Sequence, residues 1–246
     1  MIRLIIIAIF LVLFLIISLP ILLIEWIIGK FNPDARYHSS LRIVQWALRV
    51  IIVLAGVKLT VIGEENVPKE GAVLYIGNHR SYFDIVLTYA RCPNLTGYIA
   101  KKELNKLPVI NLWMRNLYCL FLDRENMKEG LKTILTGIAQ LKKGVSVYIF
   151  PEGTRNKNPN NAELLPFHEG SFRLATKSGC PIIPVTLTNT DQIFEAHFPF
   201  IKSTQVTLEY GKPIIPSELS KEEQKKLGEY TRNLMIESLK KNCGQA

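Results

Sequence analysis

The chain has 246 residues, with 30 Lys and Arg against 21 Asp and Glu, and a formal net charge of +9. Apolar residues make up 48% of it, which excludes a disordered chain, and no segment repeats at a solenoid period, which excludes a repeat array. The four cysteines form no C-x-x-C pair and the four histidines no ligand spacing. We therefore expect reduced thiols, no disulfide framework and no metal site.

The N-terminus is a long apolar run over residues 4–24, interrupted only by Ser18 and Pro20. About 20 apolar residues are enough to cross a bilayer. The apolar part of a cleaved signal peptide is shorter, about 7–15 residues, and a small-residue cleavage site follows it. Residues 25–28 offer no such site, so we predict a retained membrane segment.

A second apolar stretch covers residues 41–57, and its polar side chains are Arg42, Gln45 and Arg49. Their offsets of three and seven place them on one helical face. This pattern predicts a helix in the membrane interface with its polar face toward the headgroups. An ordinary helix packed on the core is the alternative interpretation.

The segment between the two stretches is predicted to be a loop that contains His38 and carries Lys30 and Arg36 against Asp34. Positive residues favour the cytoplasmic side of a membrane. Either the first helix spans the membrane once, or both helices enter one leaflet. In both arrangements residues 1–60 anchor the chain to the cytoplasmic membrane, and residues 61–246 form a cytoplasmic domain with the active site.

Beyond residue 60, short apolar runs alternate with segments of helical character. Strands are predicted at residues 72–76, 95–100, 119–122, 146–150, 182–187 and 206–210. Helices are predicted at residues 84–90, 104–117, 127–141, 170–177 and 221–241, the last capped from the segment 217–220. Continuous apolar strands that alternate with helices predict an α/β domain with a mostly parallel central sheet flanked by helices.

Polar residues follow four of these strands, at 78–84, 101–103, 123–125 and 151–155. Ligands of open parallel sheets bind beyond the carboxyl ends of the strands. Strand ends are exposed and therefore often polar, which is the simpler explanation for any one cluster. Four clusters, with a histidine in one and cations in three, favour a functional site at this edge.

His79 and Asp84 are the most informative pair. If His79 lies in a loop and Asp84 in the first turn of the next helix, the carboxylate can hold one ring nitrogen and leave the other free as a base. A structural interpretation is equally open, because Ser81 and Asp84 have the spacing of a helix capping box. Backbone amides at the start of this helix are candidates to stabilise an oxyanion.

Signatures of several other functions are missing from the sequence. There is no G-x-S-x-G elbow, no phosphate-binding G-x-x-x-x-G-K-[ST] and no dinucleotide G-x-G-x-x-G. Cys119 falls in an apolar strand, where burial is expected. The basic charge suits anionic lipid and phosphate. It would also suit nucleic acid, but without a binding motif we expect no nucleic-acid partner.

Four segments carry a recognisable set of motifs: NHRSYFD at 78–84, FLDR at 121–124, FPEGTR at 150–155 and PIIPV at 181–185. In this order they resemble the motifs of the glycerolipid acyltransferases, the first being a His-x4-Asp motif. The length and the apolar N-terminus are similar to those of the bacterial members that acylate 1-acyl-sn-glycerol-3-phosphate (lysophosphatidic acid) to phosphatidic acid.

The resemblance implies a role for each matching residue. His79 would be the general base for the acceptor hydroxyl, and Asp84 would hold and polarise it. Pro184 would be structural and near the acyl-donor side. The substrate-phosphate site would consist of Arg124, Glu152, Gly153, Thr154, Arg155 and, as a point charge, Lys101.

The implied reaction transfers an acyl group directly from acyl-CoA or acyl-acyl-carrier-protein to the sn-2 hydroxyl, without an acyl-enzyme. The donor is a substrate, no further cofactor is implied, and the partners are membrane lipid, lysophosphatidic acid and the donor. Two alternatives stay open: another acceptor, such as glycerol-3-phosphate or another lysolipid, and a lipid hydrolase. Nothing in the sequence indicates an oligomeric state.

Two positions depart from the family pattern. Family members often have Gly six residues before the arginine of the second motif, where this chain has Tyr118. Backbone approach at that position is therefore expected to differ. Members also often have Lys where this chain has His168, which puts a charge role there in doubt.

Overall fold

The computed structural model describes residues 1–244 and contains one seven-stranded sheet in the order β1-β7-β6-β2-β5-β3-β4. Neighbouring strands run parallel, except that β6 and β7 are antiparallel. The strands are β1 (Lys58–Ile62), β2 (Leu74–Gly77), β3 (Thr96–Lys101), β4 (Leu120–Leu122), β5 (Ser146–Ile149), β6 (Ile182–Thr188) and β7 (Gln205–Tyr210).

Helices cover both faces of the sheet. They are α1 (Ile2–Phe31), α2 (Pro33–Ala55), α3 (Phe83–Tyr89), α4 (Ile110–Asn116), α5 (Met127–Lys142), α6 (Arg173–Ser178), α7 (Lys221–Lys225) and α8 (Leu227–Cys243). One core lies between the sheet and α1 to α3, and a second lies between the sheet and α5, α6 and α8. The predicted α/β fold with a mostly parallel sheet is confirmed.

The differences from the predicted elements have local causes. β1 follows directly on the apolar stretch of α2, so the sequence pattern did not distinguish it as a strand. It begins at Lys58, before the domain boundary predicted between residues 60 and 61. The predicted helix at 104–117 is a 3-10 turn (Lys102–Lys106) followed by α4. Pro108 ends the turn because proline disfavours helical geometry in the residue before it. The predicted last helix is divided at Lys226.

The first two helices form a hairpin with almost no loop. Asn32 alone separates α1 from α2, and its side chain accepts a hydrogen bond from the amide of Ala35 at 3.0 Å. Pro33 occupies the first helical position, where its missing amide costs nothing. The prediction of a loop around His38 is therefore wrong, because a cap and a proline start a new helix at once.

Gln45 and Arg49 on the polar face of α2 contact the end of α3, so the prediction that this face points to headgroups is wrong for these two residues, whereas Arg42 on the same face is exposed. The Gln45 amide donates to the carbonyls of Tyr89 at 3.2 Å and Cys92 at 2.7 Å. Arg49 Nε donates to the carbonyl of Ala90 at 3.2 Å. These carbonyls belong to the end of α3, where helix geometry leaves acceptors without partners. The alternative interpretation, a helix packed on the core, describes this face of α2.

The outer face of α1 is an apolar surface. Most of its Ile, Leu and Val side chains are exposed, and α1 and α2 are both long and apolar enough to cross a membrane. The inner face carries the few polar groups. Ser39 donates to both carboxylate oxygens of the buried Glu25, at 2.7 and 2.9 Å. Trp113 of α4 donates to Ser18 at 3.1 Å, which joins the middle of α1 to the α/β fold.

Tyr118 has the backbone geometry that glycine adopts most easily. Its φ is +57°, which is uncommon for a residue with a side chain. The Tyr118 ring packs against Tyr37 with centroids 4.2 Å apart. Its carbonyl lies so close to Gly97 that a Cβ there would be 2.1 Å away. Tyr118 thus adopts a left-handed backbone conformation, with its carbonyl against Gly97.

We expect Gln45→Ala to lower the free energy of unfolding by about 1–3 kcal/mol, because the carbonyl of Cys92 loses its donor, whereas the carbonyl of Tyr89 keeps the amide of Cys92. Chemical denaturation in detergent, with the far-ultraviolet signal as the readout, measures the change. The exposed Arg42, one turn away, makes no side-chain hydrogen bond within residues 1–244, and Arg42→Ala is the matched control. Equal stability of the two variants would contradict the capping role of Gln45.

Candidate active site

His79 and Asp84 are in direct contact at the carboxyl end of β2. His79 Nδ1 lies 2.8 Å from Asp84 Oδ2. Asp84 is fully buried, whereas 17% of the His79 side chain is exposed. An ionised carboxylate favours the tautomer with its proton on Nδ1, which leaves Nε2 with a free lone pair. The pair has the arrangement of a general base and the group that orients it.

Asp84 also closes the turn that carries His79. The same Oδ2 accepts from the amides of Arg80 at 2.6 Å and Ser81 at 2.7 Å. The hydrogen bond to the Ser81 amide is one half of the capping box that the spacing predicts. Ser81 Oγ, however, accepts from Phe83 N at 3.0 Å and donates to Glu195 at 2.7 Å. Both interpretations of Asp84 therefore describe the same carboxylate.

The loop after β5 holds the backbone of His79 from both sides. Glu152 Oε1 accepts from the His79 amide at 2.8 Å, and the Asn156 amide donates to the His79 carbonyl at 2.7 Å. The second oxygen of Glu152 accepts from Leu165 N at 3.0 Å. Burial raises the pKa of Glu152, which these amide hydrogen bonds oppose. With both oxygens engaged by backbone amides, Glu152 positions the backbone of His79.

The imidazole of His79 stacks on Phe150, with ring centroids 4.3 Å apart and planes 21° apart. Phe150 in turn contacts Tyr148, a fully buried ring of β5. The stack limits rotation of the His79 ring from one side while Asp84 fixes its edge. The orientation of the free nitrogen is thus determined by packing as well as by hydrogen bonding.

The backbone amides at the start of α3 are already occupied. Arg80 N and Ser81 N bind Asp84, Tyr82 N binds Glu195 at 2.8 Å, and Phe83 N binds Ser81 Oγ. The expectation that they stabilise an oxyanion is therefore wrong for this arrangement. The short loop bends these amides toward internal acceptors, which sequence spacing does not reveal.

Arg124 brings the loops after β4 and β5 together, because its guanidinium donates to the carbonyl of Gly153. Gly153 has a φ of +72°, and a Cβ there would lie 3.0 Å from His168 Nε2. The ring of His168 is thus beside this contact, at the position where the family often has Lys. Burial lowers the pKa of Arg124, and the charge of Glu103 opposes that effect.

A cavity of about 330 Å³ opens beside Arg124. Leu104 and Leu122 give it an apolar part, and Lys101, Lys102, Glu103, Arg124 and Glu125 give it a charged rim. Lys102 is paired with Asp123 at 3.0 Å and Glu125 at 2.9 Å. Lys101 and Thr154 are exposed and make no side-chain hydrogen bond within residues 1–244. A larger cavity, about 750 Å³, lies at the opposite edge of the sheet.

Arg155 is engaged with neighbouring side chains. Its guanidinium lies 3.1 Å from Glu195 Oε1, 3.1 Å from the Tyr82 hydroxyl and 3.9 Å from the centre of the Tyr82 ring. Pro184 is buried in the middle of β6, four residues before the strand ends, and its carbonyl accepts from Gly211 N at 2.8 Å. Pro184 therefore contributes to the sheet, and it pairs with Ile76 of β2, close to the strand end that carries His79.

The contribution of Glu195 and the structural role of the Arg80 side chain were not predicted from the sequence. Glu195 lies more than 100 residues from the loop it holds, in a 3-10 turn (Glu195–His197) after β6, with no motif to mark it. The Arg80 side chain is buried and donates to the carbonyls of Asn158 and Asn160. It thereby ties the first motif to the long loop after the third.

A protein nucleophile is not available at the dyad. Ser81 donates to Glu195 as well as capping α3. Burial raises the pKa of Cys119 to about 12, so its thiol is not ionised at neutral pH. The arrangement can therefore remove a proton from a bound hydroxyl.

Comparisons with known proteins identify the family. The family model described as "Acyltransferase" matches residues 58–188. The chain is 31% identical over 195 residues to a 1-acyl-sn-glycerol-3-phosphate acyltransferase of Borreliella burgdorferi, covering 78% of this chain and 76% of the relative. It is 30% identical over 189 residues to the protein of that name in Salmonella typhimurium, covering 76% and 74%.

A solved structure shows the same fold. The crystal structure of the 1-acyl-sn-glycerophosphate (LPA) acyltransferase of Thermotoga maritima superposes with a TM-score of 0.72. The alignment covers 92% of this chain and 96% of that one, at 24% sequence identity.

We expect Glu152→Gln to lower the free energy of unfolding by about 1.5–3 kcal/mol. The amide replaces a charged acceptor, and its NH₂ group cannot accept from the second of two buried backbone amides. Denaturant unfolding measures the loss. Glu125→Gln is the control, because its side chain is 84% exposed and paired with Lys102. If Glu152→Gln unfolds at the same denaturant concentration as the control, Glu152 does not hold the His79 backbone.

Proposed function

This chain belongs to the acyltransferase family, and on that premise we propose that it transfers a fatty acyl group from an acyl thioester to the sn-2 hydroxyl of 1-acyl-sn-glycerol-3-phosphate, forming phosphatidic acid. The observation that carries the proposal is the contact between His79 Nδ1 and Asp84 Oδ2. It leaves His79 Nε2 free to act as a base, while the hydroxyl of Ser81 in the same loop is engaged by Glu195.

The proposed step is direct acyl transfer. His79 Nε2 takes the proton of the acceptor hydroxyl while the oxygen attacks the thioester carbon. The tetrahedral intermediate collapses, the carbon–sulfur bond breaks and the thiolate departs, after which the imidazolium of His79 returns the proton to the thiolate. A positioned base of this kind contributes about 10²–10⁴ in rate. The buried charge of Asp84 stabilises the imidazolium between the two proton transfers.

The acceptor phosphate is assigned to the cationic rim at the ends of β3 and β4. Arg124 can present its fork to two phosphate oxygens at once, and Lys101 adds an unpaired charge nearby. Arg155 is engaged by Glu195, and Glu152 by backbone amides. We therefore assign the phosphate first to Arg124 and Lys101, with Gly153 and Thr154 as the adjoining backbone and hydroxyl.

We further propose that both N-terminal helices lie within one leaflet, with the active site on the cytoplasmic side. The middle of α1 contacts Trp113 through Phe14 and Ser18. In a spanning helix this point would be about 15 Å inside the hydrocarbon core. The exposed Lys106 and Arg115 beside Trp113 would be costly at that depth.

The acyl donor is proposed to be acyl-CoA or acyl-acyl-carrier-protein. Both are thioesters with a thiolate leaving group, so no general acid is needed for its departure. No cofactor beyond the donor takes part in the proposed step.

We expect His79→Ala to reduce acyl transfer at least 100-fold with unfolding unchanged, because a positioned base supplies about that factor. Asp84→Asn should also lose most of the rate and some stability, since Asp84 holds both the ring and the turn. The assay uses long-chain acyl-CoA in mixed micelles with lysophosphatidic acid, glycerol-3-phosphate, lysophosphatidylcholine or no acceptor.

His38→Ala is the control, because His38 lies in α2 and binds only the carbonyl of Asp34. Near wild-type transfer by folded His79→Ala protein would rule out the mechanism. Transfer to a different acceptor would keep the mechanism and change the substrate. Fatty acid release without acceptor would indicate a hydrolase.

We expect Arg124→Ala to raise the KM for lysophosphatidic acid about 10–100-fold, the effect of losing one or two charged hydrogen bonds to phosphate. The KM for acyl-CoA should change little. Arg115→Ala is the control, since this exposed arginine binds Asn105. An unchanged acceptor KM in folded Arg124→Ala protein would remove Arg124 from the phosphate site.

A further inference from the structure

Two phenylalanines project into solvent from the segment between β6 and β7. Phe198 is 73% exposed and Phe200 49% exposed. The Phe198 ring stands edge-on against Phe194, with centroids 5.4 Å apart, and Phe194 packs on the core. The exposed rings are therefore supported from beneath. Large apolar side chains that stand together on a surface mark an interaction site.

This segment adjoins the ends of the two membrane helices. Ser203 donates to the carbonyl of Gly56, just after α2, and Lys58 N donates to the carbonyl of Thr204 at 2.9 Å. Arg3, in the first turn of α1, lies beside Gly56, where a Cβ would be 3.1 Å from the guanidinium. The two phenylalanines are thus close to the point where α1 begins and α2 ends.

The surroundings have the composition of a membrane interface. Val53 in the last turn of α2 is 76% exposed. Lys58 and Lys202 are exposed on either side of the segment, and Arg3 adds a third positive charge. Aromatic rings beside lysine and arginine are typical of the level where hydrocarbon meets headgroups, and the cations attract anionic lipid.

The same segment is hydrogen-bonded to the loop that carries His79, which we call the catalytic loop. Glu195, three residues before Phe198, accepts from Ser81 Oγ at 2.7 Å and from Tyr82 N at 2.8 Å. Ser81 and Tyr82 follow His79 in the turn that Asp84 closes. Two hydrogen bonds therefore join the segment that carries the phenylalanines to the loop that carries His79.

We propose that residues 194–200 form a second membrane-binding element, in which Phe198 and Phe200 insert into the interface of a bilayer containing anionic lipid and Glu195 holds the catalytic loop at that level. The proposal rests on the proposed function for its membrane location and adds a contact that the N-terminal helices do not supply. Its consequence is that a lipid acceptor reaches His79 without leaving the bilayer surface. The occupant is lipid, because the patch continues the apolar surface of the anchor.

Insertion is tested without any assay of activity. The full-length chain carries Phe198→Cys labelled with an environment-sensitive fluorophore, in a background of Cys119→Ala and Cys243→Ser that removes the partly exposed thiols. The matched label is at Leu131→Cys on α5, whose side chain is 52% exposed on the other face of the sheet. Both proteins are reconstituted into vesicles of phosphatidylcholine and phosphatidylglycerol, with and without brominated chains.

We expect brominated lipid to quench the label at position 198 and not the label at position 131. A water-exposed label at 198 in vesicle-bound protein would overturn the proposal. Self-quenching that disappears when labelled protein is diluted with unlabelled protein would overturn it in favour of a second copy of the chain. If the label inserts but no acceptor is acylated, the proposed function fails and the membrane element remains.

The link to the active site is tested by the double variant Phe198→Ser/Phe200→Ser. We expect kcat/KM to fall about tenfold or more for an acceptor in vesicles, the effect of losing roughly one buried apolar side chain. With a short-chain acceptor dispersed as monomers, kcat/KM should be the same as in the unmodified protein. Leu131→Ser/Leu135→Ser, which removes two leucines exposed on α5, should leave both values unchanged. An equal loss on both acceptors would overturn the proposal, because it would indicate damage to the fold.

Discussion

The geometry of the site depends on one buried oxygen, Oδ2 of Asp84, which accepts hydrogen bonds from the His79 ring and from the amides of Arg80 and Ser81. A buried carboxylate is costly unless donors surround it. Here the three donors belong to residues 79–81, just before Asp84 in the sequence. The hydrogen bonds to the carboxylate therefore close the turn between His79 and Asp84. Because the same atom orients the imidazole and shapes the loop, the position of the ring and local folding cannot be changed independently at Asp84.

Around this turn, most of the motif residues are hydrogen-bonded to one another or to neighbouring loops. Glu152 and Asn156 hold the backbone of His79, Arg124 reaches the carbonyl of Gly153, and Arg155 is fixed by Glu195. The strand order explains the convergence, since β2, β5, β3 and β4 are consecutive in the sheet. Four loops distant in sequence therefore meet at one edge. Charges that remain accessible, chiefly Arg124 and Lys101, line the side where the cavity opens.

The anchor is joined to this edge by polar contacts inside an otherwise apolar pair of helices. Gln45 and Arg49 occupy the carbonyls at the end of α3, the helix that begins with the catalytic turn. The hydrogen bond between Ser18 and Trp113 fixes the middle of α1 to α4. These contacts determine the height of the active site relative to the apolar outer face of α1. An enzyme whose acceptor is a lipid needs its active site at a defined height relative to the membrane. The contacts that fix this height come from the few polar side chains within the apolar helices.

The sequence by itself determined the alternation of strands and helices, the apolar N-terminus and the pairing of His79 with Asp84. These follow from local periodicity and from a spacing short enough for one turn to close. Only the tertiary structure decided the roles of Glu195, Arg155 and the polar face of α2. Their partners lie 40 or more residues away, and a side chain that faces a distant carbonyl has the same local pattern as one that faces solvent. For the same reason the amides at the start of α3 looked free in sequence and are occupied in the fold.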